Sequence, residues 1–377
     1  MRALEGNPQL VLGTIVDPRP LDGHGWTAQL QVERALTGPA QPAQSLQIGW
    51  EELARSRAPR FAAGGRVLVA LGPLPSNSLW RQRFPAPGAL AVASEGQAFL
   101  REPDAATLAL LERWSRIGAS ERDGSAGVAV LAALWAGAAP TVAQGALERL
   151  STIPGLDGKV YGEAADSLAT GLMDPSRPIP LRKGLVHLAG ERQLGALRPT
   201  LDDLAKRGDP LEAPALEAIG ALSGGLPPER VRSLLSRPEP ELRVVGVHQA
   251  RGPLLENVAA LVKGDPAPAV RAAAVVALLD HQGMAAFDTA SQGLFDSEAS
   301  VRAASATRIG TLGAAAVPGL VALVQGRGMP EAKGPIGALA LTGDAGIDAV
   351  QSIAESHPDE NVRKVARLAL GNLGAGH

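Results

Sequence analysis

The sequence predicts a mostly α-helical protein, an α-solenoid of helical hairpins preceded by a small all-β barrel or sandwich. Three observations carry this expectation. A branched aliphatic residue followed by arginine recurs at Leu181-Arg182, Leu242-Arg243, Val270-Arg271, Val301-Arg302 and Val362-Arg363. Degenerate copies centred on Ala215 and Gly334 fill the gaps, so successive anchors lie 33, 28, 28, 31, 32 and 29 residues apart. A period of this length marks stacked hairpins, none of which can bury its apolar stripe alone. Second, the pattern changes at Glu102-Pro103-Asp104 from short alternating stretches to helical ones. Third, the 44 glycines and 30 prolines recur as punctuation between apolar stretches.

Residues 1–103 form the predicted β domain. Strands are expected over Gln9–Val16, Trp26–Leu36, Ser45–Trp50, Arg66–Leu71 and Ala89–Ala93, where apolar and β-branched residues alternate or cluster. Turn signals separate them: Asp22-Gly23-His24-Gly25, Gly38-Pro39, Gly64-Gly65 and Gly72-Pro73. In the second strand Ala28, Leu30, Val32 and Ala35 face one side, and Gln29, Gln31 and Glu33 the other. Three of the five tryptophans (Trp26, Trp50 and Trp80) lie here, as a separate compact core requires.

Residues 104–377 form the predicted array of about eight hairpins. Asp104 is the expected N-cap of a leading helix, AATLALLERW. The helices then pair as 125–137 with 141–151, 157–172 with 179–190, 195–207 with 210–222, and 227–236 with 239–250. The remaining pairs are 254–263 with 267–280, 285–294 with 298–310, 315–325 with 330–342, and 346–356 with 359–371.

The segments DPAPAVRAAAVVALL from Asp265, DSEASVRAASATRIGTLG from Asp296 and HPDENVRKVARLALGNLG from His357 resemble HEAT repeats of the short, phycobilisome-lyase-like kind. RPEPELRVVGVHQA from Arg237 is a fainter copy. The β segments LVLGTIV, LQVERALTGPA and FAAGGRVLVAL are similar to the small OB-like barrels of the netrin and metalloproteinase-inhibitor type. The disulfides and cysteine-led edge of that family are absent, so its inhibitory activity does not carry over.

Three residues after each anchor comes a small one, Ala218, Gly246, Ala274, Ser305, Gly337 or Ala366; only the first copy departs, with Leu185. A small side chain there lets the helix approach its neighbour closely. Seven residues after the anchor the position is usually aliphatic: Leu222, Leu278, Ile309, Leu341 and Leu370. The HEAT resemblance implies that the arginine meets an acid of the adjacent repeat. Asp265 and Asp296, each six residues before its own arginine, are the acids in place. A partly exposed pair of this kind contributes about 0.2–1 kcal/mol.

Composition narrows the function classes. Net charge is −2, and residues 105–377 hold 26 basic against 29 acidic side chains. That balance argues against nucleic acid, which needs a basic footprint. Aromatic content of 3% leaves a core built from Ala, Leu and Val. With no cysteine, disulfides, thiolate zinc sites and cysteine nucleophiles are excluded. The N-terminus lacks a secretory signal pattern, so the expected location is cytoplasmic, or periplasmic if a signal segment was removed. The uncharged stretch Gly124–Leu147 approaches a membrane span in length, but Gly137 and Pro140 divide it into two expected buried helices.

No constellation of catalytic residues emerges. The six histidines (His24, His187, His248, His281, His357 and His377) form no HExxH motif and no His-x-x-x-His pair. HEAT-type iron hydroxylases place His-Glu pairs at repeating helix ends; here the dipeptides are His187-Leu188, His248-Gln249, His281-Gln282 and His357-Pro358. His357 stands where its repeat is expected to carry a helix-capping aspartate, and a cap or surface role is expected rather than a ligand role. Asp22–Gly25 reads as a hairpin turn. Asp202-Asp203 and Glu51-Glu52 are adjacent acids that point to different faces. The clusters Arg55, Arg57, Arg60 and Arg81, Arg83 read as solvated loops, and Tyr161 is an isolated signal.

The expected function is therefore a non-catalytic scaffold or adaptor, not an enzyme, with no cofactor, no metal and no membrane span. A protein partner would be held on the concave surface lined by the second helices. Alternatives are a structural subunit of a cell-envelope assembly and, from the resemblance, a bilin-lyase-like cofactor-handling protein.

Overall fold

The computed structural model describes residues 9–22, 25–51, 61–73, 90–92 and 99–374. The chain is mostly helical with a small N-terminal closed β-barrel. It divides into two compact units, Met1–Ser223 and Gly224–His377.

The first unit opens with strands β1 (Gln9–Asp22), β2 (Gly25–Ala35), β3 (Ser45–Glu51), β4 (Arg66–Pro73), β5 (Leu90–Val92) and β6 (Phe99–Arg101). β1 pairs antiparallel with β2 and with β4, β2 with β3, and β4 with β5, while β3 and β5 run parallel. The order β1-β2-β3-β5-β4 thus closes through β4–β1, and β6 adds to β4. The five expected strands are present, and of the two expected forms, barrel or sandwich, the sheet takes the barrel. β6 was missed because three residues show no alternation. β2 keeps the expected inside and outside: Trp26, Ala28, Leu30 and Val32 are buried, and Gln29, Gln31 and Glu33 are exposed. Trp26 and Trp50 are direct cross-strand partners, their rings stacked at 6.5 Å and 14°. Phe61 meets Trp50 edge-on at 4.9 Å, so aromatic contacts close one end of the core.

Strand gives way to helix after Arg101. Helix α1 (Ala105–Arg116) starts at Asp104, whose carboxylate accepts from Thr107 N at 2.7 Å and caps the helix as expected. It lies against the barrel through the Arg34–Glu112 ion pair at 2.5 Å. Six helices follow in pairs: α2 (Ser125–Gly137) with α3 (Pro140–Ser151), α4 (Glu163–Met173) with α5 (Ile179–Glu191), and α6 (Arg198–Leu204) with α7 (Glu212–Ala221). First helices pack on first helices, α2 on α4 and α4 on α6, and second on second, α3 on α5 and α5 on α7. α2 buries Val128, Val130, Leu131, Leu134 and Trp135, so the uncharged stretch forms two consecutive core helices. The helix expected from residue 157 begins only at Glu163. Gly155 and Gly162, both at positive φ, hold the intervening residues in turns.

The second unit holds α8 (Pro228–Leu235) with α9 (Pro240–Gln249) and α10 (Leu255–Gly264) with α11 (Pro268–Gln282). Next come α12 (Phe287–Ala290) with α13 (Ala299–Gly310), α14 (Val317–Val324) with α15 (Lys333–Leu339), and α16 (Asp344–Ser356) with α17 (Glu360–Gly374). The second helices form one uninterrupted layer, α9 on α11, α11 on α13, α13 on α15 and α15 on α17. One core runs through this unit, including Val231, Val270, Ala274, Leu278, Ile309, Ile336, Val350 and Val362. Among the described residues no single helix is long and apolar enough to cross a membrane.

Two expectations about the stripe fail at one hairpin. Leu341 is 51% exposed, because α15 ends at Leu339 and buries Ile336, Ala338 and Leu339 instead. Gly337 is half-buried with open space beside it rather than tightly packed. Elsewhere the small position is a true close approach. A Cβ on Gly246 would lie 2.9 Å from Leu235 N on its hairpin partner.

Candidate functional site

Five of the eight hairpin turns are built around an aspartate. Asp174, Asp209, Asp265, Asp296 and Asp359 accept from the backbone N–H two residues on, at 2.7–2.9 Å. Such a turn orders the chain between first and second helix without further contacts. The second helix then presents its arginine near its first turn. Nη1 of Arg243 donates to the Arg237 and Pro238 carbonyls at 2.8 Å, and Nη1 of Arg271 to those of Asp265 and Pro266 at 2.9 and 3.2 Å. Arg302 and Arg363 repeat the arrangement on Asp296 with Ser297 and on His357 with Pro358.

The other edge of the guanidinium reaches the next hairpin. Nε and Nη2 of Arg243 hold Asp265 at 2.7 and 2.8 Å, and those of Arg271 hold Asp296 at 2.6 and 2.8 Å. The acid of the adjacent repeat is thus the partner, as the HEAT resemblance implies. The expected partial exposure is corrected. Side chains of the first pair are 9% and 2% exposed and those of the second 11% and 9%. Burial pushes the Asp265 carboxyl up, but the Arg243 hydrogen bonds, the Ala267 N–H and both neighbouring arginines outweigh it, leaving it below its usual range. Hydrogen bonding from Arg271 likewise holds Asp296 low.

The first unit solves the same problem differently. Arg182 donates from Nε to the Leu172 carbonyl at 2.7 Å, and its buried Nη2 has no partner among the described residues. Arg177, which the sequence pattern did not single out, is buried over the Trp135 ring at 5.5 Å. It donates to the Ala136 and Ala138 carbonyls at 2.6 and 3.0 Å, capping the end of α2, and burial lowers its affinity for the proton.

Beyond the ladder, α11 and α13 carry uncharged outward positions near their starts. Ala269 and Ala303 are exposed, and Ala272, Ala273 and Val276 are half-buried. An Arg308–Asp280 ion pair joins the two helices farther along.

The remaining candidates do not converge. His187, His248 and His281 are exposed on separate helices. His357 is buried rather than on the surface; its Nδ1 accepts from Asp359 N at 3.2 Å and its Nε2 faces the Val324 carbonyl at 3.4 Å, so it fixes a turn. Among the described residues no three His, Asp or Glu side chains gather as a metal site. Asp202 lies 3.9 Å from Arg198, and Asp203 lies 3.3 Å from Lys206. Tyr161 is 60% exposed and donates to Ser125 Oγ at 2.9 Å. Asp22 and Gly25 are partners in the β1–β2 pairing, and Gly23 lies outside the described residues. His24, His377, Glu52, Arg55, Arg57, Arg60, Trp80, Arg81 and Arg83 lie outside the described residues.

No family model matches the sequence, and no curated protein matches it. Among solved structures, the chain is similar to human deoxyhypusine hydroxylase in complex with glycerol. Identity is 20%, covering 67% of this chain and 97% of that one, with a TM-score of 0.30. A match at that score carries no argument about this chain's chemistry. It does correct one expectation. The matched structure is that of an enzyme, so the description of this chain as not an enzyme is withdrawn.

Proposed function

We propose that the hairpin array is a HEAT-type solenoid carrying an OB-like barrel, and that it docks a protein partner on the exposed face of its second helices. The strand order, with closure of β4 on β1, supports the OB-like description. The observation that carries the docking role is a division of labour on α11 and α13. Val270, Ala274, Leu278, Val301, Ser305 and Ile309 are all buried and hold the layer together. Ala269 and Ala303, one on each helix, are exposed and lie outside that buried set. A surface of this kind can be recognised, or changed, at no cost to the core.

The test combines crosslinked capture from native extract with Ala269→Arg and Ala303→Arg. A partner captured by the native chain and lost from both variants, with melting unchanged, supports docking on this face. Undiminished capture by both variants contradicts it.

A further inference from the structure

Among the described residues, Arg302 has no hydrogen bond to a carboxylate of the following hairpin. Arg302 sets its guanidinium as Arg243 and Arg271 do, with Nη1 donating to the Asp296 and Ser297 carbonyls at 2.7 Å each. In those two residues the remaining edge, Nε and Nη2, grips an aspartate of the following hairpin. The equivalent position for Arg302 is Gly328, 32 residues after Asp296, just as Asp296 is 31 after Asp265. Among the described residues no acceptor meets Nε or Nη2 of Arg302. The next arginine is missing too. A Cβ on Gly334 would sit 2.3 Å from the Leu294 carbonyl oxygen, which leaves no room for any side chain.

A cavity of about 330 Å³ occupies this gap, lined by Leu294, Phe295, Arg302, Lys333 and Gly334 together with Asp296, Pro330 and Glu331. Its volume is that of a small-ligand pocket, roughly 300–1,000 Å³. Both acids on its wall already have cations: Asp296 is held by Arg271, and Glu331 lies 3.8 Å from Arg327. Arg327 in turn stacks on Phe295, 5.0 Å from the ring centre. Of the charged residues lining the cavity, Arg302 and exposed Lys333 are therefore the ones with no hydrogen-bonded or ion-paired acid side chain among the described residues.

We propose that this cavity binds a carboxylate, which completes the ladder by taking on Arg302 the place that Asp265 and Asp296 take on Arg243 and Arg271. The planar fork of a guanidinium selects a two-oxygen acceptor, and two parallel charge-assisted bonds are the strong form of this contact. The carboxylate comes either from a free small acid or from an acidic side chain of a polypeptide. The site is separate from the open face of α11 and α13 and stands whether or not that face binds a protein.

The test titrates the ¹⁵N-labelled chain with two probes and follows the Arg302 Nε–H resonance. The probes are succinate and the capped peptide acetyl-Gly-Asp-Pro-Ala-amide, which copies the rung Gly264–Ala267. The same peptide with Asn in place of Asp is the control. A saturable shift with at least one carboxylate probe and none with the control supports the site. Response to succinate alone identifies a free acid, and response to the peptide alone an acidic segment. Arg302→Met, followed through the backbone amide of the cavity-lining Gly334, should weaken binding about ten-fold or more, the worth of a hydrogen-bonded charge. Lys333→Glu, at an exposed position that leaves folding intact, should also weaken it several-fold. No shift with either probe at millimolar concentration, an equal shift with the Asn control, or unchanged binding in Lys333→Glu would overturn the proposal.

Discussion

Arg271 and Asp296 join two successive hairpins through parallel hydrogen bonds of 2.6 and 2.8 Å. The same aspartate fixes its own turn through Glu298 N at 2.8 Å, and the same arginine clamps the preceding turn through the Asp265 carbonyl at 2.9 Å. One rung therefore ties the order of one turn to the order of the next. This is nearest-neighbour coupling in the sense that governs repeat proteins.

Removing half of a buried rung should be costly. Arg243→Met leaves Asp265, only 2% exposed, without its counter-charge. The expected loss is about 3–5 kcal/mol in urea unfolding, against about 0.2–1 kcal/mol for an exposed pair. The double variant Arg243→Met with Asp265→Leu should recover much of that loss, since no charge is then stranded.

Acid should loosen the array in a defined window. The carboxyls of Asp265 and Asp296 are depressed in the folded chain. Their stabilisation is thus fully present above the unfolded aspartate value of about 3.9. It is lost as pH falls from there through the depressed folded values, because the unfolded chain then takes up more protons. Unfolding free energy measured down this range should fall, and Asp265→Asn should have a lower plateau with a shallower decline.

Two glycines of equivalent repeat position should respond oppositely. Gly246→Leu drives a side chain into Leu235 N and Leu234 Cβ, 2.9 and 3.1 Å from the first added carbon. A loss of about 1–3 kcal/mol or more is expected from overpacking. Gly337→Ala meets nothing within 4 Å inside α15 and should stabilise by up to about 1 kcal/mol. Thermal melts of the two variants check both signs.

The barrel has an optical signature. Trp26 and Trp50 stack at 6.5 Å, so far-ultraviolet circular dichroism should contain an exciton couplet that Trp50→Ala abolishes. Trp50 is 3% exposed, and its truncation should cost about 3–5 kcal/mol.

The paired helices were legible because a buried aliphatic residue and its arginine mark the start of second helices as different as α9 and α17. The small residue after each anchor was legible where it is a packing contact, as at Gly246. It misled at Gly337, where the degenerate copy shortens its helix and turns Leu341 outward. The burial of the ladder was not legible, since the sequence of a single repeat does not reveal its packing against the next. Arg177 lay outside the periodic position and gave no signal. The gap at Arg302 did leave one: aspartate at 265 and 296, then glycine at 328 and 334. Its meaning required knowing which hairpin each arginine reaches.

The most direct measurement of hairpin-to-hairpin coupling is a double-mutant cycle on Arg271→Met and Asp296→Asn by urea unfolding. A coupling energy of about 1–3 kcal/mol is predicted for a buried rung shared by two repeats. Additivity within about 0.3–0.5 kcal/mol would contradict it, showing that each hairpin stands without the other's charge.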